Sequence, residues 1–205
     1  IEYAVSQKIP CVLVNSYSDK LPSVLSDNRK GAYLAGRYLI EHGHKTVALL
    51  AGVRSYLSNQ ERTAGFLQAF QEEGLSIPPE LILETGSWLY DAAEKVCLNF
   101  FNTYTGEMPT ALFAFNDRLA TGAINAICKT GRTVPDDVSV IGYDNLGYYN
   151  IISPRITTVE THIEAISEST VMHMIWQLNN GSCLPVKVLT PVEVISGETV
   201  RSLLC

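Results

Sequence analysis

Four short apolar runs, each stopped by a small or polar residue, constrain this chain more than any other feature in it. They are CVLVN (11–15), TVALLAG (46–52), ALFAFND (111–117) and VSVIGYDN (138–145). Each carries Val, Ile, Leu, Ala or Phe at successive rather than alternate positions, as a strand covered on both faces of a parallel sheet requires. Between the runs lie helical stripes with start and stop signals. Residues 29–42 align Ala32, Ala35, Leu39 and Ile40, after Asn28 as cap and before Gly43 as stop. Residues 60–73 group Phe66, Leu67 and Phe70 ahead of Gly74, and 118–130 group Leu119, Ala120, Ala123, Ile124 and Ile127, with Asp117 as cap and Gly131 beyond. Further helices are predicted at 91–102 and 163–178, the latter striped by Ile163, Ile166, Thr170, Met174 and Leu178, with Trp176 as a packing residue. Strand alternates with helix throughout, which predicts a doubly wound α/β fold with parallel sheets.

Composition narrows the function classes. With 205 residues, 46% hydrophobic and 18% charged, the chain reads as a globular protein of one or two domains with real cores. Its apolar runs fall short of the roughly 18 residues a membrane span needs. A net charge of -6 argues against this segment gripping phosphate backbones, which calls for a clustered basic footprint. The five cysteines (Cys11, Cys97, Cys128, Cys183 and Cys205) are scattered, with no CxxC pair, and predict buried reduced thiols in a reducing cytoplasm. The opening stretch IEYAVSQKIP reads as the tail of a helix running into a strand, so the chain is expected to begin within a fold.

In open parallel sheets ligands sit outside the carboxyl ends of the strands. The residues predicted there are Asn15, the 52–62 loop, the 86–91 loop with Trp88, Asn116 with Asp117, and Asp144. Carboxylate and amide oxygens accept from hydroxyls, an arginine fork donates, and an indole face stacks on an apolar sugar face. That set suits a small hydroxyl-rich ligand. No nucleophile elbow, phosphate loop, dinucleotide fingerprint or HExxH occurs, and the four histidines make no ligand spacing, so neither catalysis, a cofactor nor a metal is expected. Ser26-Asp27-Asn28 and Lys129-Thr130-Gly131 imitate elements of penicillin-binding enzymes, but the SxxK nucleophile is absent. Asn180-Gly181-Ser182 fits a glycosylation sequon and, better, a helix stop with a turn.

Taken in order, SDNRKGAYLAGRYLIEHGHKTVALLAG, NQERTAGFLQAF, FAFNDRLATGA, VPDDVSVIGYDN and SPRITTVET resemble the lactose-repressor and purine-repressor family of bacterial transcription regulators over nearly the whole chain. The resemblance implies a periplasmic-binding-protein type I fold: two flavodoxin-like subdomains joined by a three-stranded hinge, a small effector bound between them, and homodimers. It assigns residues 1–27 and 161–187 to an incomplete N-terminal subdomain and 28–160 and 188–205 to the C-terminal one. CVLVN and PSVLSD (22–27) would then be the fourth and fifth N-terminal strands, with one edge of 11–15 unpaired. Operator DNA would be read by a helix-turn-helix head expected upstream. Position by position, Arg62 matches the family's pocket arginine, Asn116 and Asp144 its hydroxyl-binding pair, and Trp88 its stacking aromatic. Ser58 lies in the loop where sugar-binding members use a serine. Asn15 stands where lactose-repressor-like members carry an acid. The rival is a periplasmic sugar-binding protein of a transporter, which shares the two-lobed fold.

Overall fold

The computed structural model describes residues 1–147, 153–181 and 184–204. Ser182, Cys183 and Cys205, which enter the sequon and cysteine readings, lie outside the described residues. The chain divides into two units, Ile1–Asn28 with Thr161–Val192, and Arg29–Glu160 with Glu193–Cys205.

The smaller unit is built on a three-stranded parallel sheet. Leu13–Val14 (β1) and Lys187–Thr190 (β8) flank Ser23–Ser26 (β2), and among the described residues β1 is an edge strand paired by β2 alone. A short helix, Glu2–Ser6 (α1), precedes β1, and a long one, Ile163–Asn180 (α6), covers the sheet. The predicted stripe of α6 is only partly the one observed. Ile166 and Gln177 are buried, whereas Ile163 and Leu178 are exposed, at 47% and 63%. The seam therefore turns around the helix toward Gln177, whose amide donates to the Cys11 carbonyl at 2.9 Å and accepts from its N–H at 3.2 Å. Trp176, expected to pack, is 39% exposed. Gly181 ends α6 at φ +61°.

The larger unit carries a six-stranded sheet. In chain order its strands are Val47–Ala51 (β3), Ile82–Glu84 (β4), Ala111–Ala114 (β5), Ser139–Asp144 (β6), Thr157–Glu160 (β7) and Glu193–Ile195 (β9). Their spatial order is β4-β3-β5-β6-β7-β9, all parallel except the last pair. The first five follow the flavodoxin-like order 2-1-3-4-5, whose switch point lies between β3 and β5. Both of those strands are wholly buried, as their unbroken apolar runs require. Helices Asn28–Glu41 (α2), Leu57–Glu72 (α3), Tyr90–Thr103 (α4) and Asp117–Lys129 (α5) connect the strands. Phe66 of α3 stacks on Phe113 of β5 with ring centroids 4.8 Å apart, joining helix to sheet. A Cβ at Gly65 would come within 2.0 Å of the Arg29 carbonyl oxygen, so α2 and α3 can approach this closely only through glycine.

The amino end of this sheet is strapped by the last residues of the chain. Val140 N–H donates to the Thr199 carbonyl at 2.7 Å and Leu203 N–H to the His42 carbonyl at 2.8 Å. His44 is fully buried beneath the strap, with Nε2 donating to the Arg201 carbonyl and Nδ1 3.0 Å from the Thr110 hydroxyl. Burial lowers its pKa and keeps the ring neutral. Among the described residues no helix is long and apolar enough to cross a membrane, and no group of His, Cys, Asp or Glu could hold a metal ion.

Candidate functional site

The site of the larger unit forms at the carboxyl ends of β3, β5 and β6, and its centre is an arginine. Arg62 lies one turn and a half into α3, only 7% exposed, so its charge needs partners. It has three. Nη1 donates to the Phe115 carbonyl just past β5, Nη2 reaches Asp144 Oδ1 at 3.3 Å, and the guanidinium lies 3.6 Å from the centroid of the Tyr143 ring. A planar fork on an aromatic face is an arrangement that arginine makes and lysine does not.

Asp144 is the last residue of β6, and its side chain remains 27% exposed. One oxygen meets Arg62 while the carboxylate still has solvent access. Burial raises its pKa and the neighbouring Arg62 opposes that rise. Its backbone is unusual: Asp144 has φ +105° and Asn145 φ +52°, so two successive non-glycine residues occupy a region L side chains disfavour. The Asn145 amide donates to the Glu160 carboxylate on β7.

Asn116 follows β5 and caps α5. Its Oδ1 accepts from the Leu119 N–H at 2.7 Å, and its Nδ2 donates toward the Trp88 carbonyl at 3.4 Å. The sequence pattern assigns that cap to Asp117. The structure corrects this: Asp117 is the first helical residue, and its carboxylate turns inward, 2% exposed, to accept from the Thr158 hydroxyl at 2.5 Å. Burial pushes its pKa up to about 7, and nearby Asp144 adds to the rise. The physical reason for the swap is reach. An Ncap side chain can bond N2 or N3 of the helix, a geometry a residue already inside the first turn lacks.

Trp88 is half-buried in the loop before α4, with its ring beside Gly52 just past β3: a Cβ at Gly52 would fall 2.5 Å from it. Replacing Gly52 with Ala is therefore expected to swing the indole out, shifting its emission maximum to the red. An unchanged spectrum would show that the ring does not rest there. Ser58, expected in a loop, is in the first turn of α3, four residues ahead of Arg62, because the helix starts at Leu57 rather than residue 60. Asn15 belongs to the smaller unit, where it is exposed at φ +52° just past β1 and donates its N–H to the Val24 carbonyl.

Two neighbours do not stand out in the sequence. Asn59, 5% exposed, accepts from the Gly52 N–H at 2.9 Å and so holds the turn after β3. Tyr56, 55% exposed, tilts against Trp88 with centroids 6.1 Å apart. Both lie in the 52–62 stretch already placed at the carboxyl edge, but their roles depend on contacts that spacing does not encode.

Comparison with known proteins gives this arrangement a family. The profile of the periplasmic binding protein-like domain matches residues 37–200. The Bacillus subtilis protein named as a probable HTH-type transcriptional repressor, ExuR, is 31% identical over 98% of this chain, which spans 60% of that protein's length. The HTH-type transcriptional repressor PurR of Vibrio parahaemolyticus is 41% identical over 69% of this chain, covering 42% of its own. Among solved structures, a LacI family transcriptional regulator from Mycobacterium smegmatis superposes with a TM-score of 0.88 at 25% identity, over 98% of this chain and 74% of that one. A dimeric lac repressor does so at 0.84 and 26%, over 95% and 70%. The chain belongs to the periplasmic binding protein-like domain family, in the form that LacI-type transcriptional regulators carry as their effector-binding domain.

Proposed function

We propose that this chain senses a small carbohydrate-like effector for a bacterial LacI-type repressor, in which a helix-turn-helix segment reads operator DNA. The observation that carries the reading is the Arg62–Asp144 pair: a buried guanidinium presents a partly exposed carboxylate at the carboxyl edge of a rigid sheet. The pair is neutral overall, so it favours an uncharged hydroxyl donor and acceptor over a strong ion. Asp144 accepts effector hydroxyls, Arg62 and Asn116 donate, Ser58 adds a hydroxyl, and Trp88 offers an apolar face. Asn15 is the polar candidate of the smaller unit, which is read as part of the N-terminal effector-binding subdomain. Relatives of this chain are named as transcriptional repressors, and the lac repressor structure is of a dimer. On that likeness the protein acts as a cytoplasmic homodimer whose operator affinity shifts with effector by about 1–3 kcal/mol of coupling.

Titration of the full-length protein with d-ribose, d-glucose and hypoxanthine, followed by tryptophan fluorescence, tests this. A sugar is expected to change the emission, and Trp88→Ala to remove most of that change. Asp144→Asn should weaken the same sugar roughly tenfold, about 1.4 kcal/mol. A response to hypoxanthine alone would rule out the carbohydrate reading, and a signal carried wholly by Trp176 would rule out stacking on Trp88.

A further inference from the structure

We propose that the site takes a glycoside with two rings: the first meets Arg62 and Asp144, and the apolar face of the second rests on Tyr56 beside Trp88. The inference rests on the carbohydrate reading above and deepens it by naming the class of effector. It starts from two residues that serve their helices poorly. The Ncap position favours Ser, Thr, Asp or Asn, whose side chains accept from free N–H groups of the first turn. Asn116 does this for α5. At α3 the position is held by Tyr56 and at α4 by Leu89, and neither side chain caps its helix. Both are more than half exposed, so neither serves the core. Two large apolar side chains thus face solvent at the carboxyl edge of the sheet. Leu89 follows Trp88 in the chain, and Tyr56 lies against the Trp88 ring.

Strand order gives the site its length. Along the carboxyl edge come Asp144 at the end of β6, the Phe115 carbonyl held by Arg62 past β5, Gly52 with the Trp88 ring past β3, and Glu84 at the end of β4. Neighbouring strands lie about 4.8 Å apart, so the edge from β6 to β4 runs roughly 14 Å, more than one sugar ring covers. The Arg62–Asp144 pair takes up only the β5–β6 end of it. Tyr56 stands in the turn after β3, where its N–H donates to the Val53 carbonyl at 3.1 Å and its carbonyl accepts from the Gln60 N–H at 3.2 Å, so a fixed backbone presents the ring. Arg54, in the same turn, pairs with Glu84 at 3.6 Å and marks the far end. The Tyr56 and Trp88 rings are inclined at 42° rather than stacked, so they do not cover each other. A one-ring ligand on Arg62 and Asp144 leaves Tyr56 bare, whereas a second ring covers it. An aromatic face accepts the C–H face of a sugar or a flat ring alike. The shared chemistry is an apolar ring face, carried by a disaccharide or by a glycoside of a flat ring.

Isothermal titration calorimetry on the full-length protein tests this, comparing d-glucose with cellobiose, maltose and phenyl β-d-glucoside, and d-ribose with uridine. At least one two-ring ligand is expected to bind roughly tenfold or more tighter than the sugar it contains, or to bind where that sugar alone does not. Cellobiose or maltose would identify the second ring as a sugar, and phenyl glucoside or uridine as a flat ring. Tyr56→Ala should bring that ligand down to the affinity of its one-ring sugar, while Tyr56→Phe, which keeps the ring, should keep the advantage. The Tyr56 side chain is exposed and makes no cap bond, so the alanine variant should unfold at the temperature of the parent. Tyr56→Phe carries the comparison if it does not. Binding of d-glucose or d-ribose with no gain from a second ring, an advantage that survives Tyr56→Ala, or equal weakening of both sizes of ligand would overturn the proposal and leave the carbohydrate reading standing. If no sugar of either size binds, the carbohydrate reading itself fails, and this inference with it.

Discussion

Arg62→Met is expected to lower the unfolding free energy at pH 7 by about 2–4 kcal/mol, because the substitution strands two groups at once. The Phe115 carbonyl loses its donor and the Asp144 carboxylate loses its cation, while the methionine fills much of the vacated volume. The stacking on Tyr143 goes as well, worth about 0.5–2 kcal/mol in a partly desolvated setting. Partial exposure of Asp144 keeps the figure below the upper end for fully buried pairs. Urea denaturation measures it directly. Adding Asp144→Asn to Arg62→Met should recover part of the loss, since the stranded charge is then gone. A drop under about 0.5 kcal/mol, typical of surface substitutions, would mean that Arg62 is a solvated side chain with no structural partners. Arg62→Lys should fall in between, because an ammonium cannot reach a carbonyl and a carboxylate in one plane.

Stability should also decline as pH rises through neutrality, and Asp117 is the cause. Its pKa stands at about 7 in the folded protein against an ordinary 3.8. Between those values the folded state holds a proton the unfolded state has released, so raising the pH favours unfolding. The stabilising excess is complete below the ordinary carboxylate pKa and is lost as pH climbs through 7. A rise of that size corresponds to a decline on the order of 4 kcal/mol across the window. Asp117→Asn cannot titrate, so the difference in unfolding free energy between variant and parent should move in the variant's favour from pH 4 to pH 8. Parallel pH profiles for the two proteins would show that Asp117 titrates normally.

What was legible in the sequence follows from periodicity. The buried strands β3 and β5 are continuous apolar runs because both faces are covered, and the stripes of α2, α3 and α5 name most of the residues that pack: Ala32, Ala35, Leu39, Phe66, Phe70, Leu119, Ala120, Ala123 and Ile127 are buried, whereas Ile40, Leu67 and Ile124 are only half-buried. Those local patterns imply parallel strands with crossover helices, and the carboxyl edge as the place to look. The short strands escaped. Ile82–Glu84 and Glu193–Ile195 have three residues each, too few for a period, and the second is a strand only because Thr157–Glu160, more than thirty residues earlier, offers its edge.

Among the candidate site residues, the sequence pattern placed Asn15, Trp88, Asn116 and Asp144 near strand ends, and the family resemblance singled out Ser58 and Arg62 in the 52–62 loop. It could not pair them. Arg62 and Asp144 are 82 positions apart and meet because β6 lies beside β5, on which α3 rests through Phe66. The helix cap differs by one residue from the pattern, since Asn and Asp both satisfy it and only the direction of each side chain separates them: Asn116 bonds its own helix, whereas Asp117 enters the space left by Gly142. The seam of α6 likewise settles on Gln177, a polar residue no hydrophobic stripe would choose, because the Cys11 backbone satisfies both ends of its amide. Local sequence thus determined which segments are strands and helices and which strand ends are polar, because those depend on neighbours a few residues away. Tertiary structure decided which polar groups are buried, which are paired and which turn is strained, because each depends on partners that the chain brings together only when it folds.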